Sequence, residues 1–261
     1  MSSLLLALGL AFSWPEGKRA AVSLAYDDAI DSQLDNAIPA LDRHHLKGSF
    51  YLTLSSKTLT TRLPEWRAAA ANGHELGNHT LFHQCSRSAP GHEWVKAEND
   101  LDHTAAAQMA AQVQVGNAML HAIDGLTQRT FTVPCGDVHA AGADYLPLVQ
   151  PDFVAIKSGE GGVVADMQAL DPYRVGVIAP SEVTGAQLIA RVDEAIARGT
   201  MVNFTFHGIG GDYLVVSAQA HEQLLAYLDA HRDVVWTDTF IAIMEYVRKQ
   251  RELPTARAVE R

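Results

Sequence analysis

Short apolar runs alternate along the chain with longer segments of helical period. Residues 20–26 (Ala-Ala-Val-Ser-Leu-Ala-Tyr) form the first run. It is apolar on both alternations, as in a strand buried on both faces of a parallel sheet. Residues 47–54, 130–133, 153–156, 201–206 and 234–236 read as further strands, and residues 74–77 as a very short one. Between them the period changes. Leu34, Ile38 and Leu41 mark a helix over 32–45, in which Pro39 predicts a kink or break near Ala37. Pro64 opens a helix that runs to Ala71 and stops at Asn72-Gly73. Met109, Val113, Leu120 and Ile123 carry a helix over 104–123. Helices follow over 184–197, stopped by Gly199, and over 217–231. Thr237 or Asp238 caps a last helix through Arg248. This alternation predicts an α/β fold: a distorted (β/α) barrel of about seven parallel strands with outer helices, in a single domain.

Polar clusters fall at the ends of the apolar runs, the rim that carries chemistry in such barrels. Asp27-Asp28 ends the first strand. Adjacent carboxylates at a buried strand end are costly unless something binds them. The plain alternative is an N-cap for the next segment. His79 and His83 follow the 74–77 strand, four residues apart. On a helical turn that spacing sets both imidazoles on one face, where a borderline cation such as zinc fits. Solvated or hydrogen-bonded histidines are the alternative. Pro134-Cys135-Gly136 and His207 end two later strands. One Asp and two His make three ligands with an open position, the donor set of a hydrolytic metal site. One Asp and one His remain, a base and an acid. Residues 84–103 have no clear period and read as an excursion that shapes a cleft. Trp94 within it stacks on a sugar ring or anchors the core. The glycines of 158–162 lack phosphate-loop spacing and read as a loop. The sequons at Asn78 and Asn203 are discounted, because both lie in segments expected to be buried.

Composition narrows the picture further. A chain of 261 residues fits one barrel-sized domain. A net charge of −10 disfavours nucleic acid as a partner. No apolar run reaches the ~18 residues of a membrane span. Residues 1–13 are a signal-like or other N-terminal extension, apolar but without a basic start. The protein is secreted or periplasmic if that run is a signal, and cytoplasmic otherwise. Cys85 and Cys135 pair only if the fold brings them together, and otherwise remain separate thiols. The tail after Glu252 is expected to fray.

The spaced motifs resemble those of the polysaccharide deacetylases with a NodB-homology domain, carbohydrate esterase family four. Ala25-Tyr26-Asp27-Asp28 resembles the family's Thr-Phe-Asp-Asp. His79-Thr80-Leu81-Phe82-His83 matches its His-Ser/Thr-x-x-His in full. Thr132-Val133-Pro134-Cys135 keeps part of Arg-x-Pro-Tyr/Phe, and Thr205-Phe206-His207 part of Leu-x-His. The likeness covers roughly residues 14–250. It implies a divalent metal, zinc by its donors, held by Asp28, His79 and His83. Asp27 would be the general base and His207 the general acid. The backbone N–H of Cys135 would help stabilise an oxyanion. The substrate implied is an acetylated oligo- or polysaccharide, deacetylated at nitrogen or oxygen. Three features depart from the pattern. Thr132 stands where relatives tether the base with Arg, and Arg129, Lys157 or Arg174 are candidates to replace it. Thr205 stands where a Leu lines the acetyl pocket. The Asp-Trp element has no counterpart. Two alternatives therefore stay open: a hydrolase of another C–N bond, in a cyclic amide or imide, and an inactive sugar-binding module.

Overall fold

One strand, β1 (Ala20–Asp27), has every residue buried and touches three others. The computed structural model describes residues 12–252. The apolar N-terminal run up to residue 11 and the tail after Glu252 lie outside the described residues. In chain order the strands after β1 are β2 (Ser49–Leu52), β3 (Glu75–Asn78), β4 (Thr130–Thr132), a small hairpin of β5 (His139–Ala140) and β6 (Ala143–Asp144), β7 (Ala155–Glu160), β8 (Val175–Val177), β9 (Met201–Phe206) and β10 (Val235–Asp238). Along one edge β1 pairs in parallel with β9, from Ala21↔Met201 to Tyr26↔Phe206. Along the other, its first half pairs with β10 and its last residues with β2. The ladder continues in parallel through β2, β3, β4, β7 and β8. It closes where the Ile178 N–H donates to the Asn203 carbonyl at 2.9 Å and the Thr205 N–H to the Ile178 carbonyl at 2.8 Å. The result is a nearly closed barrel of seven parallel strands with helices around it, the predicted class.

The helices are α1 (Ile38–Arg43), α2 (Lys57–Thr61), α3 (Leu63–Ala71), α4 (Ala106–Asp124), α5 (Leu146–Val149), α6 (Gly185–Arg198), α7 (Ala218–Ala230) and α8 (Phe240–Glu252). The expected break near Ala37 is present: a π-type turn over Gln33–Ala37 leads into α1, with Pro39 in its first turn. Proline has no N–H to lose there. Thr184 and Gln187 close a capping box on α6, and Gly199 ends it at φ 73°. Two local expectations are corrected, and one strand is added. The last helix is not capped by Thr237 or Asp238, because the Thr239 hydroxyl takes the Ala242 N–H and the Glu75 carboxylate the Ile241 N–H. Residues 158–160 continue β7 instead of forming a loop, and the register shift between Lys157 and Glu160 uses Gly159 at φ +81°. β8 is a strand of three residues whose sequence carries no run long enough to show a period. Among the described residues no helix is long and apolar enough to cross a membrane.

The core has three parts. The outward face of the sheet packs Tyr26, Phe50 and Phe206 against α1, α3, α6 and α7. A second cluster fills the lower barrel, where Ala21, Ala25, Tyr51 and Met201 meet Phe240, Ile243 and Met244 of α8. Gly77 makes room there, since a Cβ would lie 2.4 Å from the Tyr51 ring. The third lies beneath α4 and α5. In the first cluster the Tyr26 hydroxyl sits 2.7 Å from His221 Nε2, both side chains being buried. Burial pulls the His221 imidazole down to about 4. Above about pH 6.5 the ring is neutral whether folded or not, and the fold keeps its full stability. Below it the unfolded chain binds a proton that the folded one refuses. Stability is therefore expected to fall by about 3 kcal/mol between pH ~6.5 and ~4. His221→Leu should remove this contribution, at a neutral-pH cost of about 1–3 kcal/mol for the orphaned Tyr26 hydroxyl. Urea unfolding of both proteins across that range measures it.

Candidate active site

The upper mouth of the barrel gathers the polar strand ends. β1 stops at Asp27, and the chain reverses through Asp28 at φ 83° and Ala29 at φ 57°. Aspartate tolerates this left-handed region better than most residues. Pleating puts Ser23, Ala25 and Asp27 on the inward face, and the reversal brings Asp28 to the same cleft. Two histidines meet them from the turn after β3. The spacing of four expects a helical turn there, and the structure corrects this. The Asn78 carboxamide accepts the Thr80 N–H at 2.8 Å, and the Thr80 hydroxyl accepts the His83 N–H at 2.9 Å. Thr80 and His83 lie at φ 68° and 50°, outside the helical region. This stapled turn still sets the rings 4.9 Å apart. Asn78 is held in turn by the Val113 carbonyl and Asn117 of α4.

Asp28 Oδ1 lies 3.2 Å from Nε2 of His79 and 3.2 Å from Nε2 of His83. It is buried without a well-formed hydrogen bond. One ligand atom from each of the three residues falls within 4.8 Å of the others. His79 Nδ1 donates to the Thr132 carbonyl at 2.7 Å, so the lone pair this ring can offer a cation is the one on Nε2. Asp27 Oδ2 is 3.9 Å from His79 Nε2, and its Oδ1 is buried with no partner. His207 Nε2 is 3.8 Å from Asp28 Oδ2. Burial raises the Asp27 carboxyl, while His79 and then His207 pull against it. Burial also works to raise Asp28, but the two imidazoles of His79 and His83 beside its Oδ1 carry it well below the usual range. Burial draws His79 down, yet Asp27 and Asp28 lift it to about 9. Two buried carboxylates thus demand positive charge. The orphaned Asp28 oxygen and the two converging imidazoles fit a divalent cation.

Cys85 and Cys135, left open by the sequence, form a disulfide with Cα atoms 5.9 Å apart. It ties the start of the 84–103 excursion to the Pro134–Gly136 turn, where Cys135 lies at φ 57° beside the cleft. Of the three basic residues considered near Asp27, Arg129 is spent on a buried pair with Asp124 at 2.8 Å. Arg174 pairs with Asp144 at the surface. Lys157 points into the barrel, fully buried, with Nζ 3.5 Å from Ser23 Oγ and 4.5 Å from the Phe240 ring centre. Burial lowers its ammonium to about 8, against the pull of Asp27 and Glu75. Glu75 had no signal in the sequence. Its carboxylate accepts from Ser49 at 2.6 Å and also from Thr130. Tyr213 was missed too, and its hydroxyl donates to Asp28 Oδ2 at 2.7 Å. The cleft above these groups encloses about 920 Å³. Phe82, Trp94 and Leu214 stand exposed on its wall, so Trp94, at 58% exposed, is no core anchor.

The model for "Polysaccharide deacetylase" matches residues 15–146. The chain belongs to that family, the NodB-homology deacetylases of carbohydrate esterase family four. A gellan lyase from Bacillus sp. is 28% identical over 123 residues, which are 47% of this chain and 4% of that protein, so the chain spans a small fraction of that relative. A Mycobacterium smegmatis structure assigned to the polysaccharide deacetylases superposes with a TM-score of 0.62 at 16% identity, covering 92% of this chain and 94% of the other. A family 4 acetyl xylan esterase from Clostridium thermocellum, in complex with a cobalt ion, gives a TM-score of 0.54 at 17% identity, covering 88% and 92%.

The disulfide closes a loop across a sequence separation of 50 residues. Replacing both cysteines by serine should cost about 4 kcal/mol of stability. Urea unfolding of the double variant against the oxidised protein checks this.

Proposed function

We propose that this protein is a metal-dependent hydrolase that removes acetyl groups from an acetylated carbohydrate. The observation that carries the reading is the shared 3.2 Å approach of both imidazoles to one buried Asp28 oxygen, with Asp27 and His207 flanking it. Membership of the deacetylase family supports the substrate class. Asp28, His79 and His83 would hold the cation, and zinc suits their donors. Bound there, it would supply Lewis acidity that polarises a carbonyl oxygen and makes water more acidic.

The chain's own residues divide the remaining work. Asp27, raised by burial, accepts a proton from the attacking water as the new C–O bond forms at the acetyl carbon. His207 gives a proton to the leaving nitrogen or oxygen as that bond breaks. The Cys135 N–H donates to the oxygen that gains charge, from a turn braced by the disulfide. Phe82 and Trp94 present flat apolar faces at the rim, suited to the C–H faces of sugar rings. A second reading, cleavage of a cyclic amide or imide, is favoured by Thr132 and by the missing Asp-Trp element, two of the departures from the family pattern.

Acetate release from chito-oligomers, peptidoglycan, acetylated xylan and aryl acetates tests the proposal. Thorough chelation should abolish release and added zinc should restore it. Turnover that survives chelation would defeat the metal mechanism, and turnover of cyclic imides alone would favour the second reading. Asp27→Asn should lower kcat by about 10²–10⁴-fold while zinc uptake persists. His79→Ala should instead abolish zinc uptake, read by competition with a chromophoric chelator.

A further inference from the structure

Tyr213 is the one aromatic side chain of the loop after His207, and that loop is built to hold it in place. Gly208 starts a tight return. A Cβ on it would lie 2.0 Å from the Gly211 carbonyl oxygen, so only glycine fits. The Gly208 N–H donates to the Tyr213 carbonyl at 3.0 Å, and the Val216 N–H to the Gly208 carbonyl at 2.9 Å. The residues on either side of Tyr213 are both left-handed, Asp212 at φ 65° and Leu214 at φ 47°. Neither is glycine, so surrounding contacts must impose the conformation. One such contact is visible: Asp212 Oδ2 accepts the Ser32 N–H at 2.8 Å, pinning the loop to the segment after β1.

The pinned phenol reaches across the cleft. Its hydroxyl donates to Asp28 Oδ2 at 2.7 Å, and its ring centre lies 6.3 Å from that of His207. Asp28 Oδ1 is the oxygen shared by His79 and His83. The terminal torsion of an aspartate is broad, and its two oxygens exchange by a half-turn. A donor fixed on Oδ2 removes that freedom and keeps Oδ1 aimed at the imidazoles. We propose that Tyr213 is a positioning residue, which orients the Asp28 carboxylate for cation binding. This rests on the reading of Asp28, His79 and His83 as the cation site. Partners one step behind the ligands typically contribute 10–100-fold in metal affinity or activity.

The test uses the full chain with two substitutions. Tyr213→Phe removes only the hydroxyl. Asp212→Ala keeps the phenol and releases its loop. Zinc affinity is measured by competition with a chromophoric chelator, and kcat and KM for acetate release at saturating zinc. Tyr213→Phe should weaken zinc binding about tenfold or more, and lower kcat by a larger factor than it raises KM. Asp212→Ala should weaken zinc binding in the same direction. Wild-type zinc affinity in Tyr213→Phe overturns the inference even if KM rises, because Tyr213 would then be only a wall of the cleft. A wild-type chain that takes up no zinc overturns the cation site itself, and this inference with it.

Discussion

Two adjacent carboxylates buried at the end of one strand impose the constraint that the upper half of the molecule answers. Asp27 and Asp28 stay less than a tenth exposed, where an unpaired charge is very costly. Partners come from the β3 turn as His79 and His83, from the end of β9 as His207, and from β7 as Lys157. The two carboxylates do not share them equally. Asp28 receives both imidazoles directly and Tyr213 behind them, and it stays ionised. Asp27 has no direct partner on Oδ1 and moves the other way. In the proposed mechanism, environments that push two acids apart let one site obtain a ligand and a base from the same residue type.

The lower half of the barrel solves a different problem. Its lumen must be closed so that the mouth can stay open. Tyr51 lies across it, over Gly77, with its hydroxyl 2.8 Å from Thr130 Oγ1. Glu75 sits beneath and is satisfied by Ser49, Thr130 and the first turn of α8. One buried carboxylate thereby joins three strands to the helix that seals the floor. Lys157 rises from this layer towards Asp27 and links the sealed floor to the reactive mouth.

Much of this was legible in the sequence because burial leaves a period. The mostly apolar run of β1 announced a strand covered on both faces, and the Gly199 stop of α6 and the break before α1 stood in the open. The residues at the mouth were found by chemical type at strand ends. What periodicity does not record was read less well. The His79–His83 turn mimics helical spacing while being held by Asn78 and Thr80 side chains. β8 has too few residues to show a pattern. Tyr213 lies between two strained residues in a loop, where neither hydrophobic period nor motif marks it. The disulfide joined cysteines whose approach only the folded chain decides.

Thr132 is the departure that bears most on the proposed chemistry. Where the family motif has an arginine beside the proposed base, this chain offers a hydroxyl and, from the neighbouring strand, Lys157. The lysine is not an equivalent tether. Its ammonium finds Ser23 at 3.5 Å, and among the charges that act on Asp27 it follows His79, His207 and Asp28. A bidentate guanidinium would hold a carboxylate ionised and in a fixed plane. Here Asp27 is held by burial and by more distant charge, and its carboxyl is raised. A raised carboxyl is the stronger proton acceptor but is ionised over a narrower range of pH.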